Sequence, residues 1–276
     1  MEQVLKTMLE NVRAKSPLVH NITNYVTVND VANVLLAAGG SPIMSDDADD
    51  VEDITSICGG LNINIGTLNK NTIPSMFLAG KKANALGHIV LLDPVGAGAS
   101  RLRTDTANRL MREVRFDAVR GNISEIKTLC TGSGSTKGVD ADAVDAVTEA
   151  NLDDGVALVK AFAKQTGCII AVTGAIDLVS DGERCWCIRN GRAEMSRITG
   201  TGCQLSALMT AFLVANPDHK LDAAAAAVCM MGLAGEIGWA NMQPGDGNST
   251  YRDRIIDAIF NMTSDALEEG AKYELR

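Results

Sequence analysis

The chain has 276 residues, of which 46% are hydrophobic and 21% are charged, and its formal net charge is −9. This length allows one or two domains, and the composition predicts a globular protein with a large buried core rather than a disordered chain. The acidic excess argues against a nucleic-acid or anionic-membrane partner, because either one requires clustered Lys and Arg.

We expect a cytoplasmic protein without a membrane anchor. Residues 1–14 place apolar side chains at helical spacing between charged ones, which predicts an amphipathic helix and not a signal peptide. The longest apolar stretches, such as residues 223–234, are shorter than the roughly 18 residues that indicate a membrane span. The seven cysteines are scattered and odd in number, which is typical of reduced thiols in a cytosolic protein.

The chain alternates apolar runs with helical stretches, which predicts an α/β layered sheet. Buried parallel strands are expected at residues 61–65, 89–92, 118–119 and 168–172, with helices at residues 71–86, 104–114 and 154–165. An antiparallel edge hairpin is expected next, with strands at residues 178–179 and 184–189, followed by helices at residues 203–214, 221–239 and 248–269. No linker or repeat divides the sequence, so residues 1–276 are predicted to form one domain.

A glycine-containing segment, ITGTGC at residues 198–203, directly precedes one of these helices. Gly200 and Gly202 permit a tight turn, after which the first free N–H groups of the helix point at one spot that carries partial positive charge. This arrangement predicts an anion site, and a plain helix-entry loop is the alternative. A second glycine-rich segment, residues 132–138, lacks the spacing of a phosphate-binding P-loop.

Ligands of open α/β sheets bind beyond the carboxyl ends of the strands, so carboxylates there are candidates for a site. Asp93 directly follows the strand expected at 89–92, where a metal-facing carboxylate is expected. Glu125 has a similar position after the strand expected at 118–119. Each carboxylate alone is a weak indication of a metal.

Two other polar segments and one cysteine pair have simpler interpretations. Residues 20–25 form a polar stretch that belongs either to a site or to a turn with helix caps. The acidic residues between 46 and 50 precede a helix, and we attribute them to capping and to its dipole. Cys185 and Cys187 lie two residues apart on an expected strand, which places both thiols on one face and favours core packing.

Six segments together resemble the hydroxyethylthiazole kinase family of the ribokinase-like superfamily, in order and in approximate spacing over nearly the whole chain. These segments are HNITN at 20–24, PIM at 42–44, LDPVGA at 92–97, RGNxSE at 120–125, VTG at 172–174 and TGTGC at 199–203. The resemblance implies a three-layer α/β/α fold with a mainly parallel central sheet and an antiparallel edge. It also implies a phosphotransferase that uses ATP and Mg²⁺ to phosphorylate 4-methyl-5-(2-hydroxyethyl)thiazole for thiamine biosynthesis or salvage.

The resemblance further assigns roles to individual residues and implies a homotrimer with active sites between subunits. By this likeness the thiazole alcohol contacts Met44 and Gly200, with Asn24 nearby from the same pocket or from the adjoining subunit, while ATP contacts Arg120 and Thr173. The metal is held, through water, by Glu125 and Asn122, with Asp93 beside them. The catalytic segment consists of Gly200, Gly202 and Cys203, whose backbone amides face the transferring phosphoryl group.

Cys203 stands where most ribokinase-like enzymes carry an aspartate base. Thiazole kinases are similar to this chain in often having a cysteine there. A helix N-terminus lowers the pKa of a thiol, so we expect Cys203 to be partly ionised. Two alternatives stay open: a kinase for a related pyrimidine alcohol or sugar, and a catalytically silent thiazole or nucleotide sensor. Closure of residues 131–139 over ATP is also left open.

Overall fold

The computed structural model describes residues 3–132 and 146–276. Its strands are β1 (Leu18–Ile22), β2 (Ser41–Met44), β3 (Gly60–Asn64), β4 (Ile89–Asp93), β5 (Ala118–Asn122), β6 (Ile169–Thr173), β7 (Asp177–Ser180), β8 (Cys185–Ile188) and β9 (Tyr273–Leu275). Its helices are α1 (Val4–Lys15), α2 (Val28–Ala38), α3 (Val51–Ile57), α4 (Thr72–Leu86), α5 (Arg101–Glu113), α6 (Ile123–Thr131), α7 (Leu152–Thr166), α8 (Thr201–Ala215), α9 (Lys220–Ala240), α10 (Asn248–Asn261) and α11 (Ser264–Gly270).

The strands form one sheet in the order β2-β1-β3-β4-β5-β6-β7-β8-β9. The pairs from β2 across to β6 are parallel, and β6 to β9 pair antiparallel. The expected hairpin is therefore present at this edge, with Leu178 opposite Cys187 and Val179 opposite Trp186. The parallel strands direct their carboxyl ends to one rim of the sheet, where the loops that lead into the helices collect.

Helices cover both faces of the sheet, as the alternation of strand residues requires. In β4, Leu91 faces a core formed with α1, α8, α9 and α10, whereas Val90 and Leu92 face a core formed with α4, α5, α6 and α7. Since both faces are buried, β4 reads as a continuous apolar run. The predicted three-layer α/β/α arrangement with an antiparallel edge is confirmed.

Helix α9 is longer than the apolar stretch recognised in the sequence. It has 21 residues and is the one helix among the described residues that is long and apolar enough to span a membrane. In the structure 78% of the most apolar 18-residue stretch of this helix is buried inside the protein. The alanines between residues 223 and 227 all belong to the core, so this helix is packed as a core helix.

Two expectations about local structure are wrong, and one helix was not expected. The helix expected at 248–269 is two helices, because Thr263 begins a new one by accepting a hydrogen bond from the Ala266 N–H at 3.1 Å. Residues 123–131, which were not predicted as a helix, form α6. The acidic run does not provide a side-chain cap for α3: Asp50 occupies the N-cap position without such a bond, and Asp47 instead accepts the Asp49 N–H.

The cysteine pair of β8 lies as expected. Cys185 and Cys187 are fully buried on the same face of the strand, and the intervening Trp186 packs against the opposite core. All seven cysteines, which lie within the described residues, carry free thiols. The strand alternation therefore explains this pair without a metal or a disulfide.

Candidate active site

The candidate residues gather at the carboxyl rim of the sheet, where the loops after β1, β3, β4, β5 and β6 meet the first turn of α8. Gly200 is the N-cap residue of α8 and has a φ of +89°, a left-handed conformation that favours glycine. A β-carbon at this position would collide with the methyl group of Thr27. Gly200 has no side chain to cap α8, so the first N–H groups of α8 lack a side-chain acceptor.

Arg120 lies directly against this first turn. A β-carbon on Gly202 would be 2.5 Å from Arg120 Nη1, so glycine is required for the guanidinium to approach the helix. Arg120 Nη2 donates to Thr173 Oγ1 at 2.6 Å, across the β5–β6 pair. The combination of a guanidinium and uncapped helix N–H groups concentrates positive charge at one spot, as an anion site requires.

Asp93, at the end of β4, balances part of this charge. Its side chain is fully buried, and its Oδ2 atom accepts from Asn64 Nδ2 at 2.9 Å and from Ser206 Oγ at 2.8 Å. Arg120 Nη1 lies 3.6 Å from the same oxygen. Burial raises the pKa of Asp93 above its ordinary value, against the opposing effect of these three partners. Its Oδ1 atom has no partner among the described residues.

Cys203 lies in the first turn of α8, next to a small apolar cluster. Asn24 Nδ2 donates to Cys203 Sγ at 3.0 Å, and the cluster around the thiol includes Met44 and Val31. Burial raises the pKa of the Cys203 thiol, and the charge of Asp93 raises it further. Burial and the charge of Asp93 therefore oppose the partial ionisation that was expected for a thiol at a helix N-terminus.

Glu125 and Asn122 form the start of α6. Asn122 Oδ1 accepts the Glu125 N–H at 2.9 Å, and Glu125 Oε2 accepts the Asn122 N–H at 2.8 Å, which is a capping box. Glu125 Oε1 also accepts the Gly96 N–H at 2.7 Å and so connects the loop after β4 to α6. Burial, with the nearby Asp93 second, raises the pKa of Glu125 to about 7. Outside residues 1–2 and 133–145, no group of three or more His, Cys, Asp or Glu side chains is arranged to hold a metal.

The ten residues named from the sequence therefore lie at one rim of the sheet, in three contiguous groups. The first group contains Asn24, Met44, Gly200 and Cys203; the second contains Gly202, Arg120, Thr173 and Asp93; the third contains Asn122 and Glu125. Their individual roles stay predictions. Most of the segment proposed to close over ATP, residues 133–139, lies outside the described residues.

Sequence reasoning missed three residues of this site: Asn64, Ser206 and Thr27. Asn64 and Ser206 bind Asp93, and Thr27 Oγ1 donates to Asn24 Oδ1 at 3.1 Å. A signal for Asn64 was present, because buried asparagine at the end of an apolar strand is uncommon unless it is hydrogen-bonded. Ser206 shows no comparable pattern, since it lies within a helix of ordinary composition, and Thr27 lies in the turn before α2.

The sequence profile of the hydroxyethylthiazole kinase family matches residues 9–265. The chain belongs to the hydroxyethylthiazole kinase family. The hydroxyethylthiazole kinase of Clostridium acetobutylicum is 57% identical over 271 residues, which cover 98% of this chain and 99% of that protein. This finding confirms the family resemblance of the six sequence segments.

Solved structures support the same family and define its fold. The hydroxyethylthiazole kinase from Pyrococcus horikoshii OT3 matches with a TM-score of 0.87 and 32% identity, and the match covers 99% of this chain and 98% of that one. The pyridoxal kinase from Staphylococcus aureus in complex with ADP matches with a TM-score of 0.54 at 15% identity, over 77% of this chain and 85% of that one. The second likeness bears on the fold alone, and the ribokinase-like fold predicted from the sequence is confirmed.

Proposed function

We propose that this protein transfers the γ-phosphoryl group of ATP to the primary hydroxyl of 4-methyl-5-(2-hydroxyethyl)thiazole, in thiamine biosynthesis or salvage. One observation carries the proposal: the uncapped first turn of α8 contacts Arg120 at Gly202 and also carries Cys203, which packs in one cluster with Met44. A phosphoryl acceptor and a phosphoryl donor can therefore meet at the same helix N-terminus.

In this proposal the positively charged side of the site binds the nucleotide. Arg120 and Thr173 contact ATP, and the N–H groups at Gly200 and Gly202 stabilise the charge on the transferring phosphoryl group. Phosphoryl transfer passes through a loose transition state in most analyses, so positioning and charge neutralisation contribute most of the rate. A strong base is not required by this chemistry.

The apolar side of the site binds the thiazole alcohol. Met44 provides a polarizable wall for a sulfur heterocycle, and Asn24 provides the second lone pair of Oδ1 as an acceptor, since its N–H groups face Asn64 and Cys203. The neutral thiol of Cys203 is a weak proton acceptor, so we assign it to positioning the hydroxyl group and not to general-base catalysis.

The residues at the rim fit a Mg²⁺ ion that is held through water. Asp93 and Glu125 are close enough for the charge of Asp93 to raise the pKa of Glu125, so a cation near them is favoured electrostatically. Both carboxylate oxygens of Glu125 already accept backbone N–H groups, and Asn122 Oδ1 accepts the Glu125 N–H. These hydrogen bonds disfavour direct coordination of the ion by either side chain. When bound, Mg²⁺ neutralises charge on the ATP phosphates.

Three further features belong to the proposal. We infer a homotrimer with sites between subunits, which is supported by the exposure of Tyr25 (77%) and Val26 (58%) next to Asn24. We infer one kinase domain over residues 1–276, which is supported by the single continuous sheet. We infer a cytoplasmic location, which is supported by seven free cysteines. Native mass spectrometry would determine the number of subunits.

The function is tested by measuring ADP formation with three acceptors: the thiazole alcohol, a hydroxymethylpyrimidine and a free sugar. We expect turnover with the thiazole alcohol and less than about one hundredth of that kcat/KM with the others, because sites with buried polar contacts reject poor matches strongly. Preferred turnover of another alcohol would reassign the substrate, and no turnover with any alcohol would leave a binding protein.

A matched pair of arginine variants connects the activity to the site. Arg120→Met should raise the KM for ATP or lower kcat by at least about tenfold, because it removes charge beside the phosphates. Arg112→Met removes the same charge from the exposed last turn of α5 and should change neither value more than about twofold. Equal effects of both variants would mean that the loss is not specific to the site.

A further inference from the structure

The hydrogen bonds of Asn64 fix the orientation of its side-chain amide. Asn64 Nδ2 lies 2.9 Å from Asp93 Oδ2, and Asn64 Oδ1 lies 2.9 Å from the N–H of Gly66. A backbone N–H can only donate, and this oxygen of Asp93 also accepts from Ser206, so the reversed amide would lose both bonds. Asn64 therefore presents its carbonyl oxygen to the next residue of the network.

This orientation determines the orientation of Asn24 in turn. The atom of Asn24 that faces Asn64 Oδ1 at 3.2 Å must be a donor, which makes it Nδ2. The Asn24 oxygen then accepts from Thr27 Oγ1 at 3.1 Å. The two hydrogens of Asn24 Nδ2 have two acceptors within reach, Asn64 Oδ1 and, at 3.0 Å, Cys203 Sγ. All three residues of this path, Asn64, Asn24 and Cys203, are at least nine-tenths buried.

We propose that Asn64 is a positioning residue that acts through Asn24 on Cys203, and that this amide relay from Asp93 holds the sulfur of Cys203 as a hydrogen-bond acceptor beneath the reacting alcohol. The inference rests on the proposed function and deepens it. Because Asn24 donates to the sulfur, the S–H hydrogen is directed away from Asn24. The thiol proton can then donate to one lone pair of the alcohol oxygen, which leaves the other lone pair to attack the γ-phosphorus. The bond from that phosphorus to the ADP oxygen breaks as the new bond forms, and the hydroxyl proton passes to an oxygen of the transferred phosphoryl group.

The relay explains why the amides of Asn64 and Asn24 and the hydroxyl of Thr27 are buried at positions where apolar side chains would pack as well. A buried polar network is stabilising only when its members are satisfied, and removing one member leaves the others without partners. Loss of the Asn64 side chain removes the constraint on Asn24, whose amide can then rotate and present its oxygen to Cys203. We expect misorientation of the thiol as the consequence.

A double-mutant cycle tests whether Asn64 acts through Cys203. We expect Asn64→Ser to lower kcat about tenfold and Cys203→Ala to lower it by a similar factor, whereas Asn64→Ser should cost less than about threefold when added to Cys203→Ala. A tenfold loss that persists in the Cys203→Ala background would overturn the proposal, because Asn64 would then act through Asp93 alone. Unchanged kcat in Cys203→Ala would overturn it as well.

Asn62→Ser is the matched control for these measurements. Asn62 lies on the same strand two residues earlier, is fully buried, and donates to Asn21 Oδ1 at 3.1 Å without contacting the relay. This variant removes an equivalent buried amide and should change kcat less than about twofold, with folding checked by circular dichroism. If Asn62→Ser lowered kcat as much as Asn64→Ser does, the effect of Asn64→Ser would be a general consequence of disturbed packing and not of the relay.

A second readout does not depend on turnover. The pH midpoint for alkylation of Cys203 by iodoacetamide, followed by mass spectrometry of its peptide, should rise in Asn24→Ala, because the thiolate loses the N–H donor that lies 3.0 Å from Sγ. The charged groups that act on Cys203, Asp93 and Arg120, are unchanged in this variant. An unchanged or lower midpoint would overturn the relay, even if the wild type phosphorylates the thiazole alcohol. If the wild type phosphorylates no alcohol but the alkylation midpoint of Asn24→Ala rises as expected, the proposed function alone would be refuted.

Discussion

His20 Nε2 donates to the carbonyl oxygen of Ser45 at 2.9 Å, and His20 Nδ1 accepts from Thr55 Oγ1 at 2.9 Å. The carbonyl can only accept, so the proton of the neutral ring is on Nε2. These bonds connect β1 to the residue that follows Met44 and to α3. Residues 20–25 were interpreted as part of a site or as a turn with helix caps. The structure has a turn at residues 25–27 but no side-chain cap on α2, and it places Asn24 in the candidate site.

Replacement of His20 by Phe should destabilise the fold and weaken substrate binding. The buried Thr55 hydroxyl and Ser45 carbonyl lose their partner, which costs about 2 kcal/mol in the free energy of unfolding. Movement of the loop that carries Met44 should raise the KM for the thiazole alcohol more than it lowers kcat. Urea unfolding and steady-state kinetics check both effects, and a variant with lower stability but unchanged KM would show that His20 does not position Met44.

Stability should also fall as the pH drops below the ordinary pKa of histidine. Burial lowers the pKa of His20 below its usual value of 6.5, so the unfolded chain takes up a proton before the folded one does. The contribution of His20 is complete above pH 6.5 and is lost progressively as the pH falls toward the lowered folded pKa. Urea unfolding at pH 7.5 and pH 5.5 should show a smaller decrease in His20→Gln than in the wild type.

Glu125 should have the opposite effect on stability in an overlapping pH range. The folded pKa of Glu125 is raised to about 7, above its ordinary value of 4.5, so the folded state keeps a proton that the unfolded chain has lost. Its contribution is complete below pH 4.5 and is lost as the pH rises through about 7. Glu125→Gln should remove this dependence between pH 4.5 and 7, and an unchanged slope of stability against pH would contradict it.

Replacement of Cys203 by Asp should retain or increase kcat. The carboxylate can accept the Asn24 N–H that Sγ accepts now, and it is a better proton acceptor than a buried neutral thiol. Steady-state kinetics with the thiazole alcohol measure the effect, and Cys229→Ser is a control for the loss of a buried thiol far from the site. A loss above roughly a hundredfold, about 2.7 kcal/mol, would mean that the thiol does more than position the alcohol.

Gly200→Ala should reduce activity through both backbone strain and a collision. A residue with a β-carbon at a φ of +89° costs about 1–2 kcal/mol, and the added carbon meets the methyl group of Thr27. Thr27→Ser removes this methyl group but keeps the hydroxyl that binds Asn24. Gly200→Ala with Thr27→Ser should therefore recover part of the lost kcat, and no recovery would show that strain alone causes the loss.

Much of the fold was predictable because its strands are buried on both faces. The apolar runs identified β3, β4 and β6 to within one or two residues at each end, and the change of pattern after residue 176 identified the antiparallel edge. The break between α10 and α11 was missed, although Thr263 is a favoured N-cap residue. Helix α6 was missed because the Asn122 and Glu125 spacing of a capping box was read only as a metal site.

The candidate site was predictable in its residues but not in its electrostatics. The pKa of Cys203 depends on burial beneath α2 and β1 and on the distance to Asp93, which no local pattern contains. The role of Asn64 depends on partners at positions 24, 66 and 93, so it appears only once the strands are assembled. Local sequence predicted which groups are present, and tertiary packing determines their protonation.

Strand β9 protects the outer side of β8. The backbone of Arg276 exchanges two hydrogen bonds with Cys185, at 2.7 and 2.8 Å, and Tyr273 packs edge-on against Trp186 with ring centroids 4.8 Å apart. Removal of residues 272–276 would leave an open strand edge and an uncovered indole, a combination that promotes aggregation between copies.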